Sequence, residues 1–159
     1  MNIVKQDRPR VVVIGGGFAG INLAKQINTH KYQIVLIDKN NYHTFQPLLY
    51  QVASAGLEPD SIAYPLRKKF RRKKNIHFRV ANVLKVDSKL KTVYTSIGEI
   101  TYDFLVIATG AKTNFFGMKN VEKFSIPMKS LVESLNLRSR ILEQFEDALN
   151  QDQIQEINK

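Results

Sequence analysis

RVVVIGGGFAGINLAKQINTHKYQIVLIDK, Arg10 to Lys39, is the stretch that decides the fold. Val11 to Ile14 is a short β-branched apolar run, of the kind that forms a strand covered on both faces. Gly15, Gly17 and Gly20 follow it in GxGxxG spacing. A glycine at 15 allows a tight exit from the strand, and one at 17 lets a pyrophosphate approach the backbone. The third, at 20, lets the following helix close on the sheet. That helix is predicted to carry Ile21, Ala24 and Ile27 on one face, with Leu23 beside them. Its N-terminus, with the Phe18 and Ala19 backbone, turns N–H groups and a partial positive charge toward phosphates. Tyr32 to Ile37 reads as a second strand. Asp38 closes it 18 residues beyond Gly20, where a carboxylate accepts from ribose hydroxyls. Asp38 would repel a 2′-phosphate, although Lys39 beside it offsets part of that charge. The fingerprint leaves FAD and NAD both open, because each carries an ADP moiety.

Composition narrows the chemistry. Hydrophobic residues make up 43% and charged residues 24%, the balance of a globular chain rather than a disordered one. There is no Cys, which excludes disulfides, thiolate nucleophiles and Cys-ligated zinc within these residues and suits a cytoplasmic protein. No apolar run reaches the roughly 18–20 residues needed to cross a bilayer, so membrane contact by this stretch is expected to be peripheral. The 24 Lys and Arg against 14 Asp and Glu leave a net charge of +10. Much of it sits in RKKFRRKK, Arg67 to Lys74. One reading is a solvated helix end whose cations suit the macrodipole; another is contact with anionic lipid. No nucleic-acid module surrounds the run. His30 and His77 read as solvated, and His43 lies in a loop from which it can approach a bound cofactor. Their spacing suggests no metal site, and no catalytic side-chain set is apparent.

Beyond Asp38, Asn40 to Leu66 reads as a long loop-like segment leading into a short helix. Ile76, Phe78, Val80, Val83 and Val86 then alternate in the manner of antiparallel strands. DSKL is a turn, KTVYT a strand, SIGE a turn, and ITYDFLVIATG a final strand. The predicted fold class is α/β: a Rossmann-like FAD-binding domain, a parallel sheet with helices, carrying an inserted antiparallel β-meander. After Pro127, Ser130 and Glu133 form a capping box. Leu131, Leu135, Leu142, Phe145 and Leu149 make the stripe of a long helix, and the polar tail QDQIQEINK is expected to fray. The expected division is a FAD-binding domain over residues 1–115 and a connector with helix over 116–159.

Three stretches carry a family resemblance: GGGFAG, IDKNNYHTFQPLLYQVASAGLEPDSIAYPLR and YDFLVIATGAKTNFFG. Over residues 9 to about 150 the chain resembles the N-terminal part of the type II NADH dehydrogenases, single-subunit NADH:quinone oxidoreductases. The resemblance implies non-covalent FAD, NADH docked on a second Rossmann domain, quinone as acceptor, and peripheral attachment to the cytoplasmic face of the inner membrane in the intact protein. It implies that Gly15, Gly17 and Gly20 flank the FAD pyrophosphate with Phe18 and Ala19 nearby, and that Asp38 bonds the adenosine ribose with Lys39 adjoining. Gln46, Pro47 and Leu48 resemble the loop beside the ribityl chain and ring, although simple anchoring by apolar side chains fits that loop as well. Val83 resembles the residue whose main chain meets adenine, and reads equally as strand core. Thr109 and Gly110 resemble the Ala-Thr-Gly turn near the cofactor. The NADH-binding domain, a later Gly-Asp segment and the membrane-binding region are absent from these residues, so the chain alone is expected to retain little flavin and not to oxidise NADH. A related sulfide:quinone or ferredoxin-type reductase, and a stand-alone dinucleotide-binding module, are the other readings.

Overall fold

The computed structural model describes residues 1–150; the QDQIQEINK tail, whose fraying was expected, lies outside them. In chain order the elements are β1 (Arg10–Ile14), α1 (Phe18–Gln26), β2 (Gln33–Asp38), β3 (Tyr42–Thr44), a 3-10 turn (Gln46–Leu48), α2 (Leu49–Ala53), α3 (Pro59–Ile62), β4 (Ala63–Pro65) and α4 (Leu66–Phe70). There follow β5 (Ile76–Val80), β6 (Val83–Asp87), β7 (Thr92–Thr95), β8 (Gly98–Thr101), β9 (Phe104–Ile107), α5 (Lys119–Phe124) and α6 (Leu131–Leu149). Two compact units form: Met1–His43 with Tyr64–Ala111, and Thr44–Ala63 with Lys112 onward.

In the first unit, β5, β2, β1 and β9 form one sheet in that order, and all its pairings are parallel. β1 and the apolar run of β2 are buried throughout because both faces of the sheet are covered. Val11, Val13, Ile34 and Leu36 point to one face, where they meet Ile21 and Ala24 of α1 and Leu66 and Phe70 of α4. Val12, Ile14, Val35 and Ile37 point to the other, against Val93, Ile100 and Tyr102. The antiparallel sheet β6-β7-β8 thus contributes Val93 and Ile100 to cover the second face. Each fully buried Val, Leu or Ile contributes about 1.5–3 kcal/mol relative to exposure.

The α/β class and the inserted meander are present, with three departures from the sequence reading. Ile76–Val80 is parallel, not antiparallel: it pairs with β2 in the register Ile34↔Ile76 through Asp38↔Val80. As the edge strand it buries Ile76 and Phe78 against α4 and leaves His77 and Arg79 less covered, and this produces the two-residue alternation of an antiparallel strand. The stretch ITYDFLVIATG is not one strand but two, broken at Tyr102 and Asp103. There the chain leaves the meander and enters the parallel sheet: Arg10 N donates to Asp103 Oδ2 at 2.6 Å, and Asp103 N donates to Arg10 O at 2.9 Å. Asn40 to Leu66 is not a loop but a succession of short elements, since its Pro and Gly residues keep each piece brief.

The second unit has its own small core, in which Leu49, Val52 and Ile62 pack with Leu57, Leu131 and Leu135. α6 starts at the predicted capping box: Ser130 N donates to Glu133 Oε2 at 2.8 Å, and Glu133 N to Ser130 Oγ at 3.3 Å. Its stripe is packed only at the N-terminal end; Leu142, Phe145 and Leu149 are exposed.

His77 is not simply solvated. Its Nε2 is buried with no hydrogen-bond partner among the described residues. Burial first, and then the charges of Arg79 and Arg10, hold its pKa below the usual value. Unfolding returns the ring to an ordinary pKa of about 6.5, so below that pH the unfolded state binds more protons and stability declines. Urea midpoints should hold steady above about pH 7 and fall as the pH drops below about 6.5, with His77→Gln making the decline shallower. An equally steep decline in that variant would contradict the account.

Candidate functional site

β2, β1 and β9 run parallel and end side by side, which puts Asp38, Gly15 and Ala108 at one edge of the sheet. Open parallel sheets bind ligands outside such carboxyl ends. The glycines there do different jobs. Gly15 has φ +110°, and a Cβ on it would sit 2.2 Å from Ala108 O; a Cβ on Gly20 would sit 1.8 Å from Gly15 O. Both are buried and are required by the protein's own packing. Gly17 is exposed, and a Cβ there meets nothing within 4 Å. No side-chain packing among the described residues requires a glycine there.

α1 begins at Gly17 with no side-chain cap and no acidic residue in its first turn. A helix start leaves its first N–H groups without intrahelical acceptors, and here no carboxylate on the helix offsets the partial positive charge. Gly17, Phe18 and Ala19 are exposed at this apex. The arrangement fits a pyrophosphate.

Asp38 is fixed beneath the loop. Its Oδ2 accepts from Gly16 N at 2.6 Å and its Oδ1 from Asn40 N at 2.7 Å. A carboxylate has about four acceptor positions, so two remain for ribose hydroxyls on a side chain that is only half-buried. Lys39 is exposed beside it. Ala81 N donates to Asp38 O at 2.9 Å, tying the entry to β6 to the same edge; Val83, two residues on, packs its side chain in the core of the second face. Across the edge, Thr109 follows Ala108 against Gly15, and Thr109 and Gly110 are exposed. Gly110 has φ +70°, a conformation that favours glycine.

Gln46, Pro47 and Leu48 form the 3-10 turn of the second unit. Gln46 Nε2 donates to Lys129 O at 3.4 Å, Gln46 and Pro47 are exposed, and Leu48 packs with Leu49 and Val52. Leu48 thus has the anchoring contact that an apolar loop residue provides.

One residue escaped the sequence reading, and the contacts of a second were not foreseen. Gly16 occupies an unspecified position of the fingerprint, yet a Cβ there would meet Leu66 Cδ1 at 2.6 Å and Asp38 Oδ2 at 3.3 Å. Three successive glycines were the available signal. The second residue is His43, whose Nδ1 lies 3.1 Å from Gly16 O and whose ring meets Phe18 edge-on at 4.9 Å. A carbonyl can only accept, so Nδ1 carries the proton. Gly16 is therefore held through N–H by Asp38 and through C=O by His43. Burial, the largest influence, pushes the His43 pKa down, against the Gly16 carbonyl, which raises it.

Known proteins resemble this chain in sequence and fold. The family model of the pyridine nucleotide-disulphide oxidoreductases matches residues 9–150. The type II NADH:quinone oxidoreductase NdhA of Mycobacterium tuberculosis is 41% identical over 145 residues, covering 89% of this chain and 31% of that protein. The structure of NDH2 from Plasmodium falciparum in complex with NADH superposes with a TM-score of 0.84 at 27% identity, over 94% of this chain and 32% of the other. The sulfide:quinone oxidoreductase of Aquifex aeolicus superposes with a TM-score of 0.77 at 32% identity, over 87% and 32%. The chain spans about a third of the length of these relatives.

The glycines predict a clean separation of folding from binding. Gly17→Val should fold with a near-native thermal midpoint and lose dinucleotide affinity, because the new methyl groups occupy ligand space. Gly20→Val should lose about 3 kcal/mol or more of stability through overpacking against Gly15. Thermal melts with and without ADP check both; a destabilised Gly17 variant or a stable Gly20 variant would refute the assignment.

Proposed function

The chain belongs to the pyridine nucleotide-disulphide oxidoreductase family, and from that premise we propose that it is the FAD-binding portion of an NADH:quinone oxidoreductase. The observation that carries the reading is the exposed, acid-free start of α1 above a carboxylate fixed in place at Asp38. The choice of FAD is supported by the path after β2. The sheet takes β5 and then an antiparallel meander before β9; the meander was predicted, and β5 in the parallel sheet was not. NADH and quinone are supported as substrates of the intact protein by the relatives' names.

Bound flavin supplies the chemistry of accepting hydride and passing electrons onward. The residues of this chain supply binding and orientation. Gly17, Phe18 and Ala19 offer N–H groups to the pyrophosphate, and Gly15 and Gly20 bring the helix start to the strand end. Asp38 accepts from the adenosine ribose, with Lys39 beside it. The Val83 main chain borders adenine, and Thr109 and Gly110 form the wall on the β9 side. Gln46, Pro47 and Leu48 are assigned to the ribityl and ring end on resemblance alone. Residues 1–115 form the FAD-binding domain and 116–159 a connector toward an NADH-binding domain. Quinones dissolve in bilayers, so the intact enzyme works as a peripheral protein on the cytoplasmic face of the inner membrane. The sulfide:quinone likeness is the second reading. That chemistry needs redox cysteines, which would have to lie outside these residues.

The test is competition. FAD added to the purified chain should be quenched on binding, ADP should displace it, and riboflavin should not, since residues 10–39 hold the ADP half. Asp38→Ala should weaken binding by about 1–3 kcal/mol, the worth of a charge-assisted hydrogen bond. Tighter binding of NADH than of FAD would overturn the assignment.

A further inference from the structure

The segment from Tyr64 to Lys74 meets the glycine loop through the buried Leu66, while the rest of it faces away from the proposed ligand contacts, and its charge is unbalanced. Arg67 to Lys74 holds seven Lys and Arg in eight residues, and no Asp or Glu occurs between Asp60 and Asp87. Among the described residues the ion pairs are Lys5–Asp103, Arg138–Glu58 and Arg140–Glu143, none of them in this segment. The cations are not on a loose tail. Leu66 and Phe70 are buried in the core beneath the sheet, so α4 is anchored by its apolar side and turns its basic residues outward. Tyr64, Lys68, Lys69, Arg71 and Arg72 line a shallow pocket of about 270 Å³.

We propose that this face, Tyr64 to Lys74, docks on the surface of an anionic phospholipid bilayer. Seven cations spread over a helical turn and the residues after it cannot converge on one phosphate group, whereas a headgroup layer presents many. Basic clusters are attracted to such a layer residue by residue, and a half-exposed tyrosine suits its apolar–polar boundary. Nucleic acid is the weaker fit. Sequence-tolerant binding of single strands uses open aromatic rings on which bases stack. Here the Tyr64 ring is covered by the ammonium groups of Lys69 at 5.2 Å and Lys68 at 5.9 Å. Phe78 lies under Arg67, and Phe70 is buried. Lys69, its pKa lowered by burial and then by Lys25, gains further from a nearby anion.

The inference is independent of the flavin assignment, and the experiment keeps them apart. The full chain is sedimented with phosphatidylcholine vesicles, with and without phosphatidylglycerol. Binding should require phosphatidylglycerol and fade as salt rises, because the attraction is screened. Lys68→Gln/Arg71→Gln/Arg72→Gln/Lys73→Gln should lower partitioning at least about tenfold while leaving FAD quenching unchanged. Arg71→Glu/Arg72→Glu is a smaller change on exposed side chains that should weaken binding in the same way. Undiminished vesicle binding by either variant would overturn the proposal, as would equal binding to phosphatidylcholine alone. Release by inorganic phosphate beyond that by chloride at matched ionic strength would replace it with a discrete phosphate pocket. Tighter binding to a single-stranded oligonucleotide than to the anionic vesicles, at the same salt, would replace it with nucleic acid.

Discussion

Two backbones meet where α1 closes onto β1, and only glycine at 15 and 20 permits the approach. A Cβ on Gly20 would fall 1.8 Å from Gly15 O, and one on Gly15 would fall 2.2 Å from Ala108 O. The contact therefore sets the spacing of three elements: strand, helix and the β9 exit. With the helix held close, Ile21 and Ala24 reach Val11, Val13, Ile34 and Leu36, and the start of α1 stands over the ends of the parallel strands. Packing and function share this constraint. The glycines that let the core close are the ones that aim the helix start outward.

Around that contact the loop is held by polar bonds, not by bulk. Asp38 takes the Gly16 N–H and His43 the Gly16 carbonyl, so the residue between the packing glycine and the exposed one cannot turn freely. A preformed loop loses less conformational freedom when a phosphate arrives, and preorganisation of this kind raises affinity by lowering the cost of ordering. Asp38 thus clamps the loop, and in the proposed site it is also the ribose acceptor. Binding lost on its replacement includes both.

Much of this was legible in the chain because it is local. The continuous run of Val11 to Ile14 reports burial on two faces, the glycine spacing reports the turn, and Ser130 with Glu133 reports the start of α6. Long-range relations were less visible. Whether Ile76–Val80 pairs parallel or antiparallel depends on α4 crossing before it, and an edge strand alternates like an antiparallel one. The break at Tyr102 and Asp103 is made by Arg10, far back in the chain. His43 was read as a loop residue near the cofactor, but its hold on a backbone carbonyl is something no side-chain pattern records. Gly16 was hidden by sitting at a position where the fingerprint accepts any residue.

The central claim is that the exposed start of α1 receives the diphosphate and Asp38 the ribose. It is tested most directly by titrating the isotopically labelled chain with ADP and following each backbone amide by NMR. The account predicts the largest shifts at Gly17, Phe18 and Ala19, with smaller ones at Asp38 and Thr109 and little change in β7 and β8. Shifts centred on the Arg67–Lys74 segment, with the glycine loop unmoved, would contradict it.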